Sequence, residues 1–173
     1  LISDYASDSA YGKAAEAAAQ AIAKYPRNAQ LYLLKAQNER KAGQLDAAIQ
    51  SLRKGLELDP KAPGANLLLA QMNVDTGKLD SAIASVKADV AADPTNKERD
   101  AQFLLGLGSN AYKAGVASKK PEDFQKAIKL LQGSDEINPS PQAKFFTAVS
   151  ACQILAPSLQ QGKSWKCPDV RAA

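Results

Sequence analysis

An internal period of 34 residues is the feature that most restricts what this chain can fold into. Residues 29–60 and 63–94 align with twelve identities, whereas chance would give roughly two or three. They include apolar, small and turn-forming positions: Leu33/Leu67, Ala36/Ala70, Gln37/Gln71, Gly43/Gly77, Leu45/Leu79, Ala48/Ala82, Ile49/Ile83 and Pro60/Pro94. Such a period is typical of stacked supersecondary units, each of which buries its apolar face against its neighbours.

The residue pattern of each unit predicts two helices. The chain is rich in alanine and only 6% aromatic, a composition that favours helices over strands. The first full unit predicts helices over residues 28–42 and 45–58, separated by Gly43 as a left-handed cap. Pro60 ends the second helix, because proline disfavours the helical conformation in the residue before it. Gly77 marks the equivalent turn one period later.

One spacing between alanine and proline recurs in the second helices. Four alanines each lie twelve residues before a proline, in the pairs Ala14/Pro26, Ala48/Pro60, Ala82/Pro94 and Ala127/Pro139. A methyl group at these positions lets neighbouring helix axes approach closely. We therefore expect four second helices that pack tightly, the first of them in a unit whose opening helix is mostly missing.

The third full unit departs from the period, since 45 residues separate Pro94 from Pro139. We expect its first helix to end at Gly115, about one turn later than the period requires. The other extra residues, 116–122, predict a loop, with Pro121 starting the following helix. After Pro139, a further first helix is expected over residues 142–155, and residues 166–173 would begin its partner.

The small residue in the first helix, the glycine turn, the early alanine of the second helix and the closing proline resemble the tetratricopeptide repeat family. The resemblance implies an all-α fold, a right-handed superhelical stack of antiparallel helix hairpins. We expect a single domain over residues 1–173, with a partial unit at 1–26, repeats at about 29–60, 63–94 and 97–139, and terminal helices at 142–173.

The resemblance also implies that ligands lie against the first helices, on the concave side of the stack. The expected groove-facing residues alternate apolar with amide and charged groups, which suits an extended strand or an amphipathic helix. They are Gln30, Leu33, Gln37, Arg40, Lys41, Leu67, Gln71, Val74, Asp75, Gln102, Leu105, Ser109, Tyr112 and Lys113. The alternative is that each is merely a solvated helix residue. Family members that grip acidic C-terminal tails use a clamp whose first two places are here Leu33 and Gln37, so that subtype is not expected.

Residue types needed for most catalytic and metal sites are missing. The sequence has no histidine, which excludes mechanisms that need an imidazole base. Two cysteines cannot complete a structural zinc site. Glu122 and Asp123 fall in the first turn of a predicted helix, where carboxylates complement the dipole. Residues 106–108 (Gly-Leu-Gly) lack the strand and lysine of a phosphate loop and are better explained by helix packing. We expect no cofactor, no metal and no enzymatic activity.

The charge distribution argues against nucleic acid as the partner. The net charge of +4 resides in residues 97–173, and Lys119 and Lys120 are the nearest approach to a basic stripe, without stacking aromatics.

No apolar run is long enough to span a membrane, and residues 1–10 do not resemble a signal peptide. The chain does not begin with Met, so we expect a mature form or an excised piece of a longer protein.

Cys152 and Cys167 allow two interpretations. Antiparallel helices joined by a turn could bring them together in a disulfide, which would imply an oxidising compartment. They could equally be unpaired thiols of a cytosolic protein. The bridge is slightly favoured, and with it a periplasmic or exported location.

The function expected is a protein-interaction scaffold that holds a peptide or partner helix in the concave groove, for instance in assembling a bacterial envelope complex. Two alternatives stay open. The chain could be a regulatory or targeting segment of a larger enzyme, or copies of it could stack end to end as a structural oligomer.

Overall fold

The computed structural model describes residues 10–159, with side chains through residue 155, and that part of the chain is helical without any strand. Its α-helices are α1 (Tyr11–Lys24), α2 (Ala29–Lys41), α3 (Leu45–Leu58), α4 (Ala65–Asp75), α5 (Leu79–Ala92), α6 (Lys97–Ser118), α7 (Pro121–Ile137) and α8 (Pro141–Leu159). A 3-10 turn, Pro94–Asn96, precedes α6. The predicted all-α architecture of helical hairpins is confirmed.

The chain divides into two compact units between Pro94 and Thr95. In unit 1, α2 packs against α1 and α3, α3 also contacts α4, and α4 pairs with α5. In unit 2, α6 pairs with α7, and α7 packs against α8. Within each unit, every helix thus contacts its neighbours in sequence, as expected of stacked hairpins.

Local signals set the helix ends in unit 1. Asn28 caps α2, because its side-chain oxygen accepts a hydrogen bond from the backbone N–H of Gln30 at 3.1 Å. Gly43 and Gly77 separate the helices of their hairpins at φ angles of 79° and 75°, a left-handed conformation that glycine adopts without steric cost. Helix α3 occupies residues 45–58 as the sequence predicts, and Asp59 before Pro60 is extended.

The small residues of the repeat pattern are fully buried. The four alanines of the recurring spacing, Ala14, Ala48, Ala82 and Ala127, are all 0% exposed. Ala36 and Ala70, in the first helices, are equally buried. In unit 1, the side chains of Leu33, Leu52 and Met72 complete the core around Ala36 and Ala48. All six alanines are therefore buried, as close packing of the helices requires.

The third repeat differs from the expectation at its turn. Helix α6 does not end at Gly115 but runs to Ser118, and Lys119, at φ 59°, ends it. A β-carbon on Gly115 would lie 2.9 Å from the Phe124 ring, so this glycine permits a close helix contact and does not form the turn. The predicted loop over residues 116–122 is therefore wrong in extent, because only Lys119 and Lys120 separate α6 from α7.

The end of the described chain follows the prediction in part. Helix α7 begins at Pro121 as expected and ends at Ile137, before Pro139. Helix α8 runs from Pro141 to Leu159, longer than the expected 142–155. The partner helix expected over residues 166–173 lies outside the described residues.

Two glycines two residues apart in α6 have different environments. Gly108 is buried, and a β-carbon there would lie 2.6 Å from Cγ of Leu131 in α7 and 3.2 Å from the Leu131 backbone nitrogen. A β-carbon on Gly106 would meet nothing within 4 Å. The structure therefore assigns Gly108 to the α6–α7 helix contact, in agreement with the packing interpretation.

Replacing Ala82, which is fully buried in α5, by leucine should overpack unit 1 and lower the free energy of unfolding by about 1–3 kcal/mol. Ala84→Leu is the matched control, because Ala84 is exposed on the same helix and should change stability by less than about 0.5 kcal/mol. Urea unfolding followed by far-ultraviolet circular dichroism measures both. Equal losses in the two variants would contradict the assigned packing.

Gly106→Ala and Gly108→Ala should change stability in opposite directions. The first adds a methyl group in open space and should stabilise the protein by about 0.5–1 kcal/mol through helix propensity. The second forces apart α6 and α7 and should destabilise it by about 1–3 kcal/mol. The same unfolding measurement tests both, and a stabilised Gly108→Ala variant would show that the helices are not in close contact.

Candidate functional site

The first helices of unit 1, α2 and α4, share an exposed polar surface, which we call the first-helix surface. It contains Gln37, Arg40, Gln71 and Asp75. The Arg40 guanidinium lies 3.9 Å from the Asp75 carboxylate, and both side chains are more than a third exposed. The Gln71 amide donates a hydrogen bond of 2.8 Å to Asp75. The surface therefore spans two helices from successive repeats.

Two further predicted residues extend this surface along α2. Gln30 and Lys41 are exposed, and at 3.6 residues per turn both lie near Gln37 around the helix axis. The Lys41 ammonium also lies 5.0 Å from the centroid of the Tyr11 ring on α1, within the range of a cation–π contact. On α4, Leu67 and Gln71 are half-buried. Unit 1 thus offers amide and charged groups beside a limited apolar area.

The structure corrects four of the expected groove residues, because it buries them. Leu33, Val74, Leu105 and Tyr112 are 5%, 6%, 4% and 6% exposed. The physical reason is that these four apolar or aromatic side chains lie beside the polar residues of their helices and pack into the contacts between helices. None of these four side chains is available to a partner in this structure.

Two of these side chains show what holds them in the core. A β-carbon on Gly55 of α3 would lie 2.6 Å from Cδ1 of Leu33, so that glycine makes room for the leucine. The Tyr112 ring packs 5.9 Å from the Phe124 ring and 5.6 Å from the Phe146 ring, centroid to centroid.

Unit 2 carries a smaller polar row of its own on α6. Of the residues expected there, Gln102 and Lys113 are exposed and Ser109 is half-buried. Their spacing of seven and four residues places them on one side of the helix. With Leu105 and Tyr112 in the core, this row lacks the apolar contacts that the sequence suggested.

The acidic residues that adjoin one another in the sequence lie near the two ends of α7. Glu122 and Asp123 lie in the first turn of α7, where the helix dipole favours negative charge. Asp135 accepts a hydrogen bond of 2.9 Å from the backbone N–H of Ser140, at the junction of α7 and α8.

Among the described residues, no cluster of three or more potential metal ligands is present, and no described helix is long and apolar enough to cross a bilayer.

Sequence reasoning missed a buried polar network between α2 and α3. The Lys35 ammonium contacts the Glu39 carboxylate and donates to the Ser51 hydroxyl at 2.9 Å, while that hydroxyl donates to Glu39 at 2.7 Å. Glu39 is only 4% exposed, so its charge is compensated in the protein interior. The spacing of Lys35 and Glu39, four residues apart on a helix, is the signal that could have revealed this pair.

Cys152 is 5% exposed in α8 and takes part in a disulfide bond. Cys167, the other cysteine of the chain, lies outside the described residues. The pairing of the two therefore stays a prediction.

Comparisons with known proteins address the fold. Two family models described as Tetratricopeptide repeat match residues 3–63 and residues 39–102. Two crystal structures of MamA are similar: one has a TM-score of 0.59 at 16% identity, covering 96% of this chain and 94% of that chain. The other has a TM-score of 0.55 at 17% identity, covering 91% and 96%. No curated protein sequence matches significantly.

If Cys152 and Cys167 are bridged, the protein unfolded without reductant should take up no thiol-alkylating reagent, and after reduction it should take up two equivalents. Intact-mass spectrometry reads both numbers. The Cys167→Ser variant is the control, because it should expose one reactive thiol and lose about 2–4 kcal/mol of stability. Two alkylations of the unreduced wild-type chain would exclude the bridge.

Proposed function

Because the chain belongs to the tetratricopeptide repeat family, we propose that it is a non-catalytic scaffold that binds another polypeptide along the first-helix surface of unit 1. Protein interaction is the general role that the family supports. Two features carry the choice of surface: polar side chains from two successive repeats reach solvent there, and the Arg40–Asp75 ion pair joins the two repeats.

The two glutamines suit recognition of a polypeptide backbone. Gln37 and Gln71 occupy equivalent positions one period apart, and a carboxamide both donates and accepts hydrogen bonds. Gln37 is exposed, so both functions are available to a partner. Gln71 donates to Asp75 and can still accept through its oxygen. An extended segment, whose peptide groups present both donors and acceptors, matches this pattern.

The charged pair on the same surface can exchange partners at small cost. Arg40 and Asp75 are separated by 3.9 Å with both side chains in contact with water, and exposed pairs of this kind contribute only about 0–1 kcal/mol. A carboxylate of the partner could therefore replace Asp75 beside the Arg40 guanidinium, with which it can form two parallel hydrogen bonds. A cation of the partner would be drawn to Asp75 in the same way.

The surface does not favour the acidic-tail clamp of some family members. Leu33 stands at the first place of that clamp and is buried, and Gln37 at the second is neutral. We therefore propose a partner recognised through backbone and mixed polar groups, not through a pair of carboxylates.

We place the protein in an oxidising compartment, such as the envelope of a bacterium, where it would help to assemble a complex. The disulfide of Cys152 supports this location, because disulfides persist mainly in oxidising surroundings.

The proposal is tested by affinity capture with the intact chain. The variant Gln37→Ala/Arg40→Ala/Gln71→Ala should lose at least one partner that the wild type retains, because three polar contacts outside the core are removed. Quantitative mass spectrometry of the captured proteins measures the loss, and circular dichroism verifies that the variant is folded.

The matched control replaces the same residue types elsewhere, as Gln20→Ala/Arg53→Ala/Gln142→Ala. All three control residues are exposed and lie outside the first-helix surface. The control should keep the partner. Partner binding that survives in the first variant, or is lost equally in both, would contradict the assignment of the site.

A further inference from the structure

A groove of about 250 Å³ in unit 1 is lined by residues of α1, α2 and α3. We call it the α1–α3 groove. Apolar residues from α1 and α3 form part of its wall, and polar and basic residues from α2 and α3 form the rest. The lining consists of Ala19, Ile22, Tyr32, Lys35, Ala47, Gln50, Ser51 and Lys54.

This groove lies on the opposite side of α2 from the first-helix surface. Tyr32 follows Gln30 by two residues, and Lys35 precedes Gln37 by two residues. At 3.6 residues per turn, two residues correspond to about 200° around the helix axis. A segment bound in the groove would therefore leave Gln30 and Gln37 uncovered, so the two surfaces can act independently.

The groove carries positive charge that the described residues of unit 1 do not neutralise. Both oxygens of the Glu39 carboxylate are engaged, one by the Lys35 ammonium and the other by the Ser51 hydroxyl. Lys35 uses two N–H groups in this network, and an ammonium group has three. One donor of Lys35 is therefore left over for a ligand.

Lys54 supplies the uncompensated charge. It is exposed and lines the groove beside Gln50 and Ser51. Among the described residues it has no ion-pair partner. Ala19, Ile22 and Ala47 provide apolar contact area close to this charge. A ligand that fits the groove therefore carries a carboxylate next to an aliphatic side chain.

The fold does not require these charges, because the next repeat lacks them. One period after Lys35, Glu39 and Lys54 stand Leu69, Asn73 and Ala88. The buried acid disappears together with its lysine, and the Asn73 side-chain oxygen has no hydrogen-bond partner. The basic groove is thus a property of one repeat and not a consequence of helix packing.

We propose that the α1–α3 groove binds a short acidic segment of a partner polypeptide, in which a glutamate adjoins an aliphatic residue. The carboxylate contacts Lys54 and the remaining N–H of Lys35, while the aliphatic side chain packs against Ile22. The volume is below the usual range for drug-sized ligands, which limits the occupant to one or two side chains. This site does not depend on the function proposed for the first-helix surface.

The test uses two synthetic peptides and the full ¹⁵N-labelled chain. Acetyl-Ala-Leu-Glu-Leu-Ala-amide should shift the backbone amide resonances of Ile22, Lys35, Ser51 and Lys54 in nuclear magnetic resonance spectra at low salt. The otherwise identical peptide with Gln in place of Glu should bind about threefold to fivefold more weakly, as expected for loss of a solvent-accessible ion pair.

Two lysine variants separate the groove from the general charge of the protein. Lys54→Gln should abolish the preference for the Glu peptide, whereas Lys61→Gln, an equal charge change at an exposed residue between α3 and α4, should retain it. Unchanged resonances away from each substitution verify the fold. Equal binding of the two peptides, an equal effect of both variants, or shifts confined to the first-helix surface would each overturn the proposal.

Discussion

Close approach of helix backbones is the constraint on which the rest of this structure depends. Ala48 and Ala82 are completely buried, and Gly55 and Gly108 lie where a single added methyl group would overlap a leucine of the neighbouring helix. Small residues at such crossings bring the helix axes together and fix their relative rotation. Once α2 is held against α3 in this way, the residues that it turns outward are also fixed.

The two full repeats of unit 1 share small packing residues and differ in the charged residues of their first helices. Ala36 and Ala48 have alanine counterparts one period later, whereas Lys35 and Glu39 are followed by Leu69 and Asn73. Helix contacts built on alanine tolerate little change in volume, whereas exposed positions such as Arg40 and Lys54 tolerate many side chains. Functional differences between repeats are therefore expected in the grooves and on exposed faces, where unit 1 carries its charged residues.

Helix α2 gives unit 1 two chemically different surfaces. One side presents Gln30, Gln37 and Lys41, and the other contributes Tyr32 and Lys35 to a basic groove. If both surfaces bind as we propose, the protein holds two segments at once, from one partner or from two. The buried network of Lys35, Glu39 and Ser51 connects α2 to α3, so it contributes to the shape of the groove as well as to its charge.

The sequence by itself determined the helical fold, its 34-residue units and most helix ends, because capping glycines, prolines and buried alanines act locally or at fixed spacing. It predicted α3 to the residue and placed Asn28 at the start of α2. Only the tertiary structure decided that Leu33 and Tyr112 belong to the core, that Gly115 lies inside α6, and that Lys35 meets Ser51. These outcomes depend on contacts between helices, and periodicity along one helix cannot distinguish a residue facing a groove from its neighbour facing the next helix.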